Sequence, residues 1–245
     1  MVAFQYRMGA GFAGDVNRTH PASIEPGLLD ATNPPAGYGV AIQVNTAANS
    51  IRAALPADYA ATNFYGVTVR PYPFQQSTSA LANAGVGFGS AGIFAGQPVD
   101  ILRSGYILVP VVGTPTKGGA VWVWYAQAIG SHIQGGFEAA AFTPITAAAS
   151  GGTNGTNTIT FAATPAGVVA GMTVSDTTGG HTAYITAGTY VTAVSATTVT
   201  LSANIVTTVT SDTISFTGNT QVTWGETIFN SPADANGIAE LQFNV

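Results

Sequence analysis

Between Thr158 and Phe216 the chain alternates threonine or serine with apolar residues, in Thr158-Ile159-Thr160-Phe161, Thr189-Tyr190-Val191-Thr192-Ala193-Val194, Thr197-Thr198-Val199-Thr200-Leu201 and Thr213-Ile214-Ser215-Phe216. A period of two sends successive side chains to opposite faces of an extended backbone, and β-branched residues suit a pleated surface. Each run therefore predicts a half-buried strand. Gly151-Gly152, Asn154-Gly155, Gly179-Gly180 and Gly188 supply the turns between them. The flanking sequence carries the same period with longer loops and more aromatics. Tyr65 to Arg70 reads as a strand stopped by Pro71 and Pro73, and Tyr106 to Val109 as one stopped by Pro110. From Ala120 to Tyr125, Val121, Val123 and Tyr125 share one face while Trp122 and Trp124 share the other, so both faces need cover. After a turn at Asp234 to Gly237, Ala239, Leu241, Phe243 and Val245 oppose Glu240, Gln242 and Asn244, which predicts a closing strand with one wet face. Helix is scarce: Ala47 to Ala61 is broken by Pro56 and is allowed one or two turns. Gly85 to Gly96 reads as a loop that is mobile or ordered by a partner.

Charge divides this pattern in two. Every Lys and Arg precedes residue 118, and from Ala147 to Gly218 the formally charged residues are Asp176 and Asp212. The predicted architecture is all-β: a small β-barrel or β-sandwich core from residues 1–146 plus 219–245, interrupted by a Thr-rich β module at 147–218. Across all 245 residues only 7% are Asp, Glu, Lys or Arg, against roughly 25% in an ordinary soluble domain. So few charges defend a monomer poorly against its neighbours, which predicts life inside an assembly.

Composition also removes whole classes of function. The basic residues Arg7, Arg18, Arg52, Arg70, Arg103 and Lys117 stand singly in a chain of net charge −5, so a nucleic-acid partner is not expected. The greasiest stretch, Ile101 to Val112, is cut by Arg103, Gly105 and Pro110 and predicts no membrane span. The first residues, from Met1 to Gly9, lack a secretory pattern, which predicts synthesis and assembly in a cytoplasm. Absence of Cys excludes disulfides, thiolate metal sites and Cys nucleophiles.

Candidate chemistry is thin. Gly9, Gly11 and Gly14 match G-x-G-x-x-G, but Asp15 to Pro21 cannot open the helix that a dinucleotide needs. His20, His132 and His181 stand in turn-like contexts without a carboxylate at ligand spacing and read as exposed loop histidines. Nothing in the spacing selects a catalytic pair from Glu25, Asp30, Asp100, Glu138, Glu226 and Asp234. Asp176 and Asp212, without an Asp-rich loop, make a poor Ca²⁺ cage. Asn17 and Asn154 fit the glycosylation pattern without a secretory context. Catalytic residues, a cofactor and a metal are therefore not expected. The candidate site is an interface instead: Phe4, Tyr6 and Phe12 read either as core packing or as an aromatic arm that docks on a partner, of the kind enriched at interface cores, and the flanking Arg7 and Arg18 point to the arm.

Several short phrases, taken in order, resemble a known family. They are Gly11-Phe12-Ala13-Gly14-Asp15-Val16-Asn17-Arg18, Phe64-Tyr65-Gly66 through Arg70-Pro71-Tyr72-Pro73, Gly96-Gln97-Pro98-Val99-Asp100 through Gly105-Tyr106, Lys117-Gly118-Gly119, Gly135-Gly136-Phe137-Glu138, and Pro232-Ala233-Asp234 through Phe243. In these the chain resembles the phage structural cement proteins, the Gp24-like capsid decoration family. That resemblance implies a non-catalytic protein, clustered as homotrimers on the outer surface of the head, whose partner is the major capsid protein. The Thr-rich module departs from the family pattern. A carbohydrate-binding or adhesion role, with residues 147–218 meeting a host-surface glycan, is the alternative; a polysaccharide-degrading enzyme is a third reading.

Overall fold

A computed structural model describes residues 11–18, 21–54, 64–71, 93, 95–126, 128, 130–163, 165–217 and 221–243. Expectations for Phe4, Tyr6, Arg7, His20, the second half of Ala47 to Ala61 and most of Gly85 to Gly96 lie outside these residues. The described residues contain fifteen strands and no helix. Nine strands form one sheet: β1 (Ser23–Leu28), β2 (Ala41–Asn45), β3 (Ser50–Ala53), β4 (Phe64–Val69), β5 (Pro98–Val112), β6 (Ala120–Trp124), β7 (Phe137–Glu138), β14 (Gln221–Phe229) and β15 (Ile238–Phe243). Six form another: β8 (Ile145–Gly151), β9 (Thr158–Phe161), β10 (Thr173–Asp176), β11 (Val191–Ser195), β12 (Thr198–Leu201) and β13 (Thr213–Thr217).

Part of the first sheet closes on itself. From β5 the ladder runs through β15, β14, β6 and β7 and returns to β5, the last step being the parallel pair Val111 with Phe137. Closure removes free edges, and the barrel is filled by Ile107, Val109, Val121, Val123, Phe137, Trp224, Phe229, Leu241 and Phe243. β1 and the β4-β2-β3 ribbon extend from the other half of β5.

The long strand β5 serves both halves because of one glycine. Residues up to Ser104 pair with β1, and those from Gly105 to Pro110 pair with β15. Gly105 has φ +135, and a Cβ there would lie 2.9 Å from the Pro21 carbonyl oxygen, so only glycine makes this changeover. The predicted stop at Pro110 does not occur. Pro110 stands opposite Ile238, and Val111, one residue on, donates to the Gly237 carbonyl at 2.8 Å, so the ladder continues past the missing N–H.

The helical turn expected from Ala47 is absent as far as Ala54. Asn49 takes φ +50 in a hairpin turn, and Ile51 and Ala53 alternate into the core as β3. Beside this hairpin, buried Asp30 accepts from the Thr32 and Asn33 backbone N–H groups, Asn45 Nδ2 and Ser50 Oγ at 2.8–3.0 Å. These donors, the Asn33 N–H foremost, hold its carboxyl well below the usual range. Asp30→Ala is expected to cost about 2 kcal/mol in urea denaturation, because several donors lose their acceptor at once.

In the second sheet the order is β10-β13-β8-β9-β12-β11, antiparallel throughout. Ile159, Phe161, Met172, Val174, Val191, Val199, Leu201, Ile214 and Phe216 make its core, which Trp124 and Ala126 from the end of β6 join. β8 begins at Ile145, just before the predicted limit at Ala147.

Candidate functional site

An aromatic arm needs an anchor, and the described part of the N-terminal segment shows one. Asp15 N–H donates to the Phe12 carbonyl and the Phe12 N–H to Asp15 Oδ2, both at 3.1 Å, which closes a turn. Gly14 N–H then donates to Leu108 O at 2.7 Å and Leu108 N–H to Asp15 O at 2.9 Å, and Val16 bridges to Ile107. The segment is thereby laid along β5. Gly14, with φ +86, is required here: a Cβ would meet the Tyr38 Cβ at 2.7 Å and the Arg70 nitrogen at 3.0 Å.

Arg18 and Phe12, paired in the sequence expectation, have opposite fates. Arg18 Nε and Nη2 donate to the two carboxylate oxygens of Glu240 at 2.8 and 2.9 Å, and its guanidinium carbon lies 4.2 Å from the Tyr106 ring centroid. It is an anchor to β15. Glu240 also accepts from Asn17 Nδ2 at 2.7 Å and Asn230 Nδ2 at 2.5 Å. Burial pushes its carboxyl up, but the donors from Arg18, Asn230 and Asn17 outweigh this and hold it below the usual carboxylate range. The predicted wet face of β15 is therefore covered at Glu240. Phe12, by contrast, is 62% exposed, with the Arg70 guanidinium 4.4 Å from its ring centroid.

A second exposed apolar feature lies on β1, which pairs with β5 as its strand partner. Ile24 and Leu28 are 47% and 53% exposed. Leu28 lines a groove of about 390 Å³ together with Glu25, Val44, Ile51, Tyr65 and Ile101. Arg103 stacks 3.5 Å from the Tyr65 ring centroid and approaches Glu25 at 3.7 Å. The hydrogen bond to Glu25, helped by burial, pushes the Tyr65 phenol up.

His132 and His181 are not the free loop residues expected. His132 Nδ1 meets Glu138 Oε1 at 2.5 Å, and its ring stacks 4.5 Å from that of Trp124, where the two sheets join. Gln221 completes the junction: its Nε2 donates to Glu138 Oε2, and its Oε1 accepts from Phe142 N–H at 2.5 Å. His181 Nδ1 meets Asp212 Oδ1 at 2.7 Å. Asp176, at the end of β10, brings a carboxylate oxygen to the same place, and the ligand atoms of the three residues lie within 4.8 Å of one another. The pairing of β10 with β13, Asp176 opposite Ile214, assembles this cluster. Period-two patterning fixes which face a side chain takes but not which distant strand lies beside it, so Asp176 and Asp212 look isolated in sequence. Asn17 binds Glu240, and Asp234 caps its own turn through Oδ1 to the Asn236 and Ile238 N–H groups at 2.9 Å. The remaining carboxylate candidates with described side chains, among them Glu25, Asp30 and Glu138, lie at separate places: groove, hairpin and sheet junction.

A closed barrel carrying a second sheet, with exposed Phe12, Ile24 and Leu28 on a nearly uncharged chain, describes an all-β protein suited to association. Residues 1–170 match the XM1 gp53 minor capsid protein family, well over half of the 245-residue chain, and the chain belongs to that family. It is thus a phage structural protein with its place in the virion. The matched stretch ends inside the second sheet, before β14 and β15, the strands that complete the barrel. No curated protein matches the chain.

Proposed function

We propose that this protein is a non-catalytic cement protein, bound as homotrimers to the outer surface of the phage head, where it clamps neighbouring major capsid subunits. Membership of a minor capsid family carries the reading. The exposed apolar side chains of the N-terminal segment and β1, Phe12, Ile24 and Leu28, support it, because they offer contact area where few charges must be desolvated. A ligand that binds the intact shell and not its broken state stabilises it by RT ln(1 + [L]/Kd) per site, and many copies on one shell add these increments. In a threefold cluster β1 would meet a neighbouring copy, which shields an exposed strand. The second sheet would project as a knob.

The test uses heads assembled without the protein. Such heads should release DNA at a lower temperature than complete ones, and added protein should restore the difference. Phe12→Asp and Leu28→Asp proteins should saturate the sites only at about tenfold or higher concentration, since each leaves a charge at a desolvated contact. Unchanged robustness of the bare heads would overturn the proposal. One observation favours a second reading, adhesion to a glycan: Tyr190 on the second sheet is 47% exposed, and sugar sites combine such rings with polar groups. Binding of the full chain to a glycan array, lost in Tyr190→Ala, would support that reading.

A further inference from the structure

We infer that Asp176, His181 and Asp212 form a binding site for one divalent transition cation of the zinc class. This stands apart from where the protein sits on the virion. Asp176 and Asp212 are 2% and 4% exposed, and their ligand atoms lie within 4.8 Å of each other and of a His181 ring nitrogen. Three of the four carboxylate oxygens are occupied: Asp176 Oδ1 accepts from Thr178 N–H at 2.8 Å, Asp212 Oδ2 from Thr210 N–H at 3.0 Å, and Asp212 Oδ1 meets His181 Nδ1. The fourth, Asp176 Oδ2, is buried without a hydrogen-bond partner. Leaving a buried carboxylate oxygen unpaired is costly, and no Lys or Arg follows residue 117 in the sequence. A dication placed among the three groups supplies the missing charge and the missing partner together.

The donor set selects the cation. Ca²⁺ wants six to eight oxygens, whereas one imidazole nitrogen with two carboxylates suits Zn²⁺ and its neighbours. Zinc ligands at about 2.0–2.2 Å from the metal sit roughly 3.5 Å apart, so the site needs to tighten by about 1 Å. That adjustment falls to the His181 side chain, carried between β10 and β11 on a loop whose start, Thr177 and Thr178, is bonded to Thr213. The His181 side chain is 35% exposed and gives the ion its way in. Its ring is held by Tyr184, stacked at 4.2 Å. Three protein ligands leave a fourth position for water, and the bound ion would pin this loop to β13.

Tag-free full-length protein, stripped with EDTA, is titrated with zinc chloride and separately with calcium chloride by calorimetry. One equivalent of zinc should bind, with calcium at least about 100-fold weaker, and zinc at 100 times its Kd should raise Tm by roughly 5–10 °C. Removing even a group that only orients a ligand costs about 10- to 100-fold in metal affinity, so Asp176→Asn and His181→Ala should each lose 100-fold or more. Cobalt(II) bound in place of zinc should show visible absorption that changes in His181→Ala, a signal that a variant's lower stability does not imitate. The inference is overturned if the wild-type protein takes up no zinc, if calcium binds as tightly, or if neither substitution weakens binding.

Discussion

Trp124→Ala is expected to cost about 4 kcal/mol and to separate the melting of the two sheets. Trp124 ends β6, a barrel strand, yet its side chain is fully buried in the core of the second sheet. Its ring stacks on His132 and meets Phe142 edge-on at 5.5 Å between centroids. Its backbone meanwhile is tied into the barrel's own loop, with Trp124 N–H to Gly136 O at 2.9 Å and Gly135 N–H to Trp124 O at 2.6 Å. One residue thus couples two cores, and cutting it to Ala removes transfer energy and leaves a cavity; Trp→Ala changes in cores cost roughly 3–5 kcal/mol. The His132–Glu138 pair loses its aromatic cover at the same time. Burial pushes the Glu138 carboxyl up, only partly offset by His132, so water admitted at this seam should favour its ionised form and loosen the junction further. Urea unfolding followed by far-UV circular dichroism should change from one transition to two. A single transition shifted by less than about 1 kcal/mol would mean that the seam contributes little to cooperativity.

The same residue shows where pattern stopped being informative. Alternation placed Trp124 opposite Val121 and Val123 and demanded cover on both faces; Val121, Val123 and Trp124 are buried, while Trp122 is half-buried. It could not say that the cover comes from a sheet made of residues after 144. Strands with β-branched runs, such as β9, β12 and β13, were legible because side-chain shape and period agree. β8, Ile-Thr-Ala-Ala-Ala-Ser-Gly, was not: its small residues carry little preference of their own, and it is a strand because β13 and β9 flank it. β10 was missed for a similar reason, being four residues whose partners lie far along the chain. Site residues follow that division. Phe12 and Arg18 could be singled out from composition and neighbours, though not whether Phe12 packs inside or stands exposed, whereas the meeting of Asp176, His181 and Asp212 depends on strand order and register. The fate of Glu240 was hidden too, since it sits on the outward face of its strand and is covered by residues more than 200 positions earlier.

That covering makes Glu240 the control point for the N-terminal segment. Glu240→Ala should cost about 3 kcal/mol at neutral pH, because a buried carboxylate and its charge-assisted bonds to Arg18, Asn17 and Asn230 vanish together. The pH dependence follows from the direction of the carboxyl's shift. Held below its unfolded value of 4.5, it binds fewer protons folded than unfolded, so its contribution is whole above that pH and is lost as pH falls through the folded value. The gap between wild type and Glu240→Ala in urea should therefore be widest near pH 7 and narrow steadily below pH 4.5. Arg18→Ala should cost less than Glu240→Ala, since the guanidinium is half exposed and both asparagines still reach the carboxylate. A local readout separates loosening of the arm from general destabilisation. Trypsin cleavage after Arg18 should be faster in Glu240→Ala under conditions where the barrel stays folded, because the ladder between Gly14, Asp15 and Leu108 no longer has its second tether. If the arm carries the contact with the head, Glu240→Ala should also bind bare heads more weakly although Phe12 itself is untouched. Full head binding alongside rapid cleavage would move the contact from the N-terminal segment to the exposed side chains of β1.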